Sequence, residues 1–401
     1  MQNEPSFISR KDSIIYIFLI ALAIRLVVAF LPTVPVSDCK WYHDVAVSIA
    51  GGDGFSYNGA PTAYRTPGYP FVLGALYFVF GNNPFWGRLL NAIIGAISIA
   101  LIWMLGKRLN LPKTGILAAL LLAFYPEHIL LTNALMREPL LAFLILGWLL
   151  VITQKGKVQP LWSGFLIGVA AYIRSTALPL ALLPIIWEPK QYKKHIISFA
   201  IAVVMLTPWA YRNYKVLGAP MIETTFWTNL WIGNGSNADG GYNDTPEIQV
   251  NGEIEQERYF KEKLFQDLRN NPFRPLLLIP QKLFHFAFPS LSAVKWGLAG
   301  VLILKDFEKW RDCLNGITIS NMLSPEHLPI VLGGILTIVN FALIIIFVIA
   351  LLRRRVPSQA VWTIVYFTAI SLVFFGNDRF RFPVLPLMIF GAVALWEKRK
   401  K

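Results

Sequence analysis

The stretch Pro67-Gly68-Tyr69-Pro70-Phe71-Val72-Leu73-Gly74-Ala75-Leu76-Tyr77-Phe78-Val79-Phe80 decides how the whole chain threads. It is apolar, but it falls short of the roughly 20 residues that a helix needs to cross a bilayer. Cytoplasmic loops of membrane proteins carry an excess of Lys and Arg. If this stretch crossed, Lys107-Arg108 with Lys113, Lys155 with Lys157, and Lys190 with Lys193-Lys194 would all fall outside. If it lies along the membrane instead, those clusters share one side with Arg10-Lys11, Arg353-Arg354-Arg355 and Lys398 to Lys401. The second arrangement is therefore expected, with residues 37–84 forming a first external loop that carries juxtamembrane helices.

Working outward, ten apolar segments alternate across the bilayer: Ser13 to Leu31, Phe85 to Leu105, Thr114 to Tyr125, Pro139 to Ile152, Leu161 to Tyr172, Ala177 to Trp187, Ile196 to Pro208, Leu328 to Leu352, Val361 to Phe375 and Val384 to Trp396. Their continuous apolarity predicts helices rather than the alternating strands of a barrel. At 55% hydrophobic and 15% charged residues, the chain has too little polar surface for a soluble domain. The expected fold is an all-α polytopic membrane protein, one membrane-embedded domain over residues 1–401. A second external loop spans residues 209–326, with a helical pattern from Glu253 to Arg269 and apolar segments Pro275 to Phe288 and Leu291 to Leu304 at the interface. The first apolar run follows Arg10-Lys11 and lacks a small-residue cleavage site, so it reads as an uncleaved span. The net charge of +14 sits in loop clusters that report topology, and no nucleic-acid partner is expected. Two cysteines, Cys39 and Cys313, have no metal-type or disulfide spacing.

The basic residues that escape the positive-inside pattern carry the functional signal. Arg65, Arg137, Arg174, Arg212, Arg379 and Arg381 fall in external loops or at outer ends of spans. Charge at membrane depth is costly, so several arginines on one side point to a site, and the guanidinium fork matches phosphate oxygens. Each could also snorkel or pair locally. Asp38 stands at the entrance of the amphipathic stretch Trp41 to Ala50, either as a helix cap or as a free carboxylate, and Glu138 stands beside Arg137. A carboxylate among phosphate-binding cations fits displacement of a lipid phosphate from a sugar, with Asp38 as general base and arginines stabilising the leaving phosphate. His43 and His128 make a poor metal signature, and whether a divalent metal is used stays open.

Several motifs together resemble one family. Asp38-Cys39-Lys40-Trp41-Tyr42-His43-Asp44-Val45-Ala46 is similar to an Asp-x-x-x-Tyr-x-x-x-Ala pattern, and Tyr64-Arg65-Thr66-Pro67-Gly68-Tyr69-Pro70 follows the Gly-rich turn Gly51 to Phe55. Tyr125-Pro126, Arg137-Glu138-Pro139, and Gly168 to Arg174 with Ser175 in place of the usual proline come next. Then follow Pro208-Trp209-Ala210-Tyr211-Arg212-Asn213 and Arg379-Phe380-Arg381-Phe382-Pro383. In this order and spacing they resemble the GT-C membrane glycosyltransferases, in the branch of protein O-mannosyltransferases and lipid A aminoarabinose transferases.

The resemblance implies a GT-C-like helical bundle and inverting transfer of a sugar from a polyprenyl-phosphate donor to a hydroxyl or amine. It implies that Asp38 and Glu138 are catalytic, and that Tyr64, Arg65, Arg137, Arg174, Arg212, Asn213, Arg379 and Arg381 bind substrate. It places the protein in the cell envelope, as a multi-pass protein of a bacterial inner membrane with its site facing outward. The acceptor, whether lipid, glycan or protein, is left open: Cys39 follows Asp38 where protein-glycosylating members often carry Glu, and the chain ends soon after its last span, without the C-terminal domain of aminoarabinose transferases. Two other readings compete, a transporter or flippase of a lipid-linked sugar and an O-antigen ligase or polymerase. The first should show charges deep within several spans and paired halves; the second should lack an Asp38-like base.

Overall fold

The computed structural model describes residues 12–154, 156–288, 291–301, 324 and 327–397. The basic clusters Arg10-Lys11 and Lys398 to Lys401, Lys155, Cys313 and the last residues of the Leu291 to Leu304 segment lie outside the described residues. Among the described residues the regular structure is helical apart from one small hairpin. Helix α1 (Asp12–Ala29) leads into α2 (Asp38–Gly51), the hairpin, and α3 (Gly68–Phe80). The bundle continues through α4 (Pro84–Arg108), α5 (Pro112–Phe124), α6 (Pro126–Thr132), α7 (Glu138–Ile152), α8 (Gln159–Ile173) and α9 (Tyr192–Leu217). Beyond it come α10 (Phe226–Asn234), α11 (Glu253–Asn270), α12 (Arg274–Leu277), α13 (Ile279–Ala287) and α14 (Ser292–Gly297), then the helices Leu328–Leu352, Ser358–Val373 and Leu385–Val393.

Every expected span lies on helical backbone. By length and apolarity, four described helices are long enough to cross a membrane: Pro84–Arg108, Pro189–Leu217, Leu328–Leu352 and Asp378–Trp396; the bent pair α5 and α6 makes a fifth. The bend, 59°, sits where Pro126 interrupts the helix. Arg25, from inside α1, takes up the carbonyls this frees. Its guanidinium donates to Leu122 O (3.0 Å), Ala123 O (3.1 Å) and Ala21 O (3.1 Å), and contacts His128 Nδ1 (2.9 Å).

The expected helix Ala177 to Trp187 is a 3-10 helix, Ser175–Ile186, because Pro179 and Pro184 cannot donate the α-type bond. The last segment likewise opens as a 3-10 helix, Asp378–Val384, with Pro383 inside it. Within the bundle α7 and Leu385–Val393 are largely buried, whereas Leu328–Leu352 exposes apolar residues such as Ile338 and Leu352.

Two close approaches position the first loop. A Cβ on Gly74 of α3 would lie 2.7 Å from the Ile49 side chain of α2, and one on Gly68 would lie 2.8 Å from the Tyr172 backbone at the end of α8. The hairpin pairs Ser56–Tyr57 with Ala60–Pro61, turning through Asn58 and Gly59 at positive φ, the Asn-Gly chemistry of a tight hairpin. On α11, carboxylates stitch the segment after α9 down. Glu257 accepts from Trp227 N, Thr228 N and Thr228 Oγ1, and Asp267 accepts from Trp231 Nε1. A second apolar cluster of Trp231, Ile232, Phe260, Leu264, Phe286, Phe375 and Phe380 joins that segment to the bundle.

Candidate active site

Asp38 is the first residue of α2, after Ser37 at a φ of 49°. Its carboxylate does not cap the helix. It accepts from Arg65 Nη2 at 2.6 Å and pairs closely with Arg379 Nη1. Arg65 comes from the extended stretch between the hairpin and α3, where its guanidinium lies 5.2 Å from the Tyr64 ring centre and 5.9 Å from those of Trp41 and Tyr42. Arg379 comes from the other end of the chain. Asn377 Oδ1 accepts from its backbone N–H (3.1 Å), and the Asp378 carboxylate anchors the turn by accepting from Leu291 N (2.7 Å) and Ser292 N (2.8 Å). The Arg379 guanidinium lies 5.0 Å from the Trp296 ring centre.

Two further arginines and a second acid complete the cluster. Arg137 donates to Thr66 Oγ1 (3.0 Å) and Ile173 O (3.2 Å), which ties the start of α7 to the first loop and to the end of α8. Glu138, 1% exposed at the side chain, faces Arg174 Nη1 at 3.8 Å and Arg379 Nε at 4.0 Å. Arg174 stacks on Phe380 at 4.3 Å. These separations are too long for hydrogen bonds. Glu138 Oε2, Arg174 Nη1, Arg65 Nε and Arg379 Nε are buried without a hydrogen-bond partner. Buried polar atoms in folded proteins are normally satisfied, so unspent donors on three arginines of one cluster call for an explanation. Four guanidiniums against the Asp38 and Glu138 carboxylates leave a formal excess of two positive charges.

The electrostatics follow from that excess. Burial alone pushes the Asp38 carboxyl up, but Arg65, Arg379 and Arg137 outweigh it and hold it well below the usual carboxylate range. For Arg65, burial favours the neutral form and Asp38 more than reverses this. Burial raises the phenols of Tyr64 and Tyr42 and, with Asp38 and Glu138 adding to it, the thiol of the free, buried Cys39.

Asp38, Arg65, Arg137, Glu138, Arg174 and Arg379 therefore converge, with Tyr64 against Arg65. Three expected site residues lie elsewhere. Arg212 spends its fork on Thr62 O (2.8 Å), Phe55 O (2.9 Å) and Asn213 Oδ1 (2.9 Å), so it latches the hairpin rather than facing the cluster. Asn213 donates to Met221 O at 2.6 Å. Arg381, two residues after Arg379 in a tight 3-10 turn, is directed away from it. It bonds Glu127 at 3.0 and 3.1 Å and the carbonyls of Phe286 and Ala287. Among the described residues no three His, Cys, Asp or Glu side chains are grouped to hold a metal ion. His43 Nδ1 lies 2.9 Å from the Tyr77 hydroxyl, and His128 is held by Arg25. Trp296, Phe380 and Glu223, whose charge reaches Arg65 and Arg174, belong to the site without having shown in the sequence. Trp296 carries no pattern, Phe380 lies inside the Arg379-Phe380-Arg381 motif whose arginines drew the attention, and Glu223 is an acid ten residues past an Asn213 motif that drew attention to itself instead.

Residues 64–211 match the family described as Dolichyl-phosphate-mannose-protein mannosyltransferase. No curated protein matches the chain in sequence. Among solved structures, ArnT from Cupriavidus metallidurans bound to undecaprenyl phosphate is similar at 14% identity and a TM-score of 0.47, covering 96% of this chain and 77% of that one. The same protein in its apo state gives 14% identity and a TM-score of 0.46, over 95% and 76%. The matched stretch 64–211 carries Arg65, Arg137, Glu138 and Arg174, so the family match and the geometry meet in the same cluster.

Proposed function

We propose that this protein is a membrane glycosyltransferase of the GT-C kind and that it moves a sugar from a polyprenyl-phosphate donor to an acceptor hydroxyl or amine on the outer face of the membrane, with inversion. The observation that carries the reading is the Asp38 carboxylate held between Arg65 and Arg379, with buried guanidinium donors left unspent around it. A phosphate oxygen is the natural partner for those donors. The matching family description, a dolichyl-phosphate-mannose transferase, supports testing a polyprenyl phosphate first.

The chemistry needs little beyond this arrangement. Phosphate bound at Arg65, Arg174 and Arg379 draws negative charge as the glycosidic C–O bond breaks, and polyprenyl phosphate leaves with the bonding electrons. The acceptor oxygen or nitrogen attacks the anomeric carbon from the opposite side, and its proton passes to Asp38. Locked between two guanidiniums, Asp38 is a weak base. Once phosphate shares those guanidiniums, their hold on Asp38 weakens and its basicity rises, so donor binding arms the base. Glu138, facing Arg174 and Arg379 without bonding either, holds them apart and oriented.

A transporter would use charges deep in the bundle, and Arg25, Glu127 and Arg381 are such charges. Each is bonded to fixed partners across helices, which favours a scaffold role. The test is turnover by purified wild type against Asp38→Asn, read as polyprenyl phosphate released from a panel of polyprenyl-phosphate sugars with membrane extract as acceptor. Turnover by wild type and none by a variant that still binds donor supports the reading; equal turnover removes Asp38 from the chemistry.

A further inference from the structure

Glu223 occupies an odd position for an acid. It is half-buried, between α9 and α10, in a segment whose backbone is tied on both sides. Asn213 Nδ2 donates to Met221 O (2.6 Å) and Trp209 Nε1 donates to Ile222 O (2.9 Å). On the far side Thr224 N donates to Ala63 O (2.9 Å), and Thr224 Oγ1 donates to Glu253 Oε2 (2.7 Å). The Trp209 and Asn213 of the Pro208-Trp209-Ala210-Tyr211-Arg212-Asn213 motif therefore fix the residues beside Glu223. One oxygen of Glu223 accepts from the hydroxyl of Ser175, the residue next to Arg174. Among the described residues its other oxygen has no hydrogen-bond partner, and the charge is felt at both Arg65 and Arg174.

An anion joined through Ser175 to the residue next to Arg174 repels phosphate bound there, so its placement needs a compensating contact. Resting on the proposed transferase reading, we infer that Glu223 is a specificity-determining residue, whose free oxygen accepts a hydrogen bond from an O–H or N–H of the transferred sugar. The sugar is the group that a donor necessarily carries beside its phosphate, and it offers the donors that a carboxylate oxygen takes. Ser175 and the tied backbone pre-orient the carboxylate, so little is lost in ordering it when the sugar arrives.

The experiment uses the full-length protein in detergent and compares wild type with Glu223→Gln, which keeps an acceptor for Ser175 and removes the charge. Binding of polyprenyl phosphate is measured beside binding of polyprenyl-phosphate mannose, of its single-deoxy analogues, and of a 4-amino-pentose donor. The expected result is split by ligand. Glu223→Gln loses tenfold or more in affinity for the sugar-bearing donor, since a hydrogen bond to a charged group is lost, and holds or gains affinity for polyprenyl phosphate alone. One deoxy analogue loses the difference between the two proteins and so identifies the hydroxyl; a greater loss on the amino sugar identifies an ammonium instead. Equal loss on sugar-bearing and sugar-free ligands, or no loss on either, overturns the inference while leaving the transferase reading in place. If wild type binds neither polyprenyl phosphate nor any donor, both readings fall together.

Discussion

Replacing Asp38 by Asn should tighten the binding of polyprenyl phosphate while abolishing transfer. Asp38 is 15% exposed at its side chain, and it neutralises Arg65 and Arg379. Taking away its charge raises the formal excess of the cluster by one unit. A phosphate at roughly 5 Å from the carboxylate feels about 3 kcal/mol of repulsion per unit charge at an effective dielectric of about 20. The amide dipole and nearby water discount that figure, leaving about 1.4–2.8 kcal/mol, or about ten- to a hundredfold in affinity. The assay is equilibrium binding of polyprenyl phosphate to purified wild type and variant at fixed ionic strength, because screening of partly exposed charges would otherwise blur the comparison. Thermal unfolding without ligand should show the opposite sign, since two buried guanidiniums lose their counter-ion, at a cost of about 3 kcal/mol. Unchanged or weaker phosphate binding by the folded variant would refute the idea that Asp38 and the phosphate share the same arginines.

Other expectations follow from particular contacts. Arg379→Ala should weaken binding of polyprenyl phosphate by tenfold or more, whereas Arg212→Ala, which frees the residues flanking the hairpin from two hydrogen bonds, should lower thermal stability by about 2–4 kcal/mol with a smaller direct effect on phosphate. Gly233→Ala places a Cβ 1.7 Å from Phe374 O and should destabilise by about 3 kcal/mol; Gly147→Ala, which meets nothing within 4 Å, should stabilise by about 0.5–1 kcal/mol. Lys282 is fully buried on Asn234 Oδ1 and Leu372 O, and burial lowers its pKa from 10.5 to about 8. The unfolded chain then holds more protons between about pH 8 and 10.5, so this lysine makes stability rise with pH across that window. Unfolding of wild type and Lys282→Gln across the window should show the steeper upward slope for wild type.

How much of this was legible depended on whether a residue's role was written in local pattern. Continuous apolarity located the helices and ended one span at Tyr125, where Pro126 interrupts the backbone ladder, because both act on neighbouring backbone. The same rule applied to Pro179 and Pro184 accounts for the 3-10 geometry of Ser175–Ile186, although apolarity alone had read it as an ordinary helix. The site was harder, since it joins Asp38 to Arg379 across almost the whole chain. Arg65, Arg137, Arg174 and Arg379 could be singled out because cations on the side expected to be external break a topological rule. That rule does not say where an arginine points. Arg212 and Arg381 break it equally, and they bond backbone carbonyls and Glu127 instead. Arg25 sits within an apolar run with no local excuse, and only the carbonyls exposed at the α5–α6 break explain it. Glu223 had no motif of its own, and the residues that aim it carried the motif.

The most direct measurement of the central claim is transfer itself: purified protein, a polyprenyl-phosphate sugar labelled in both lipid and sugar, membrane extract as acceptor, and the configuration of the new glycosidic bond. The account predicts one polyprenyl phosphate released per sugar transferred, an inverted anomeric centre, and loss of both signals in Asp38→Asn. Release of free sugar phosphate, retention at the anomeric carbon, or undiminished transfer by Asp38→Asn would contradict it.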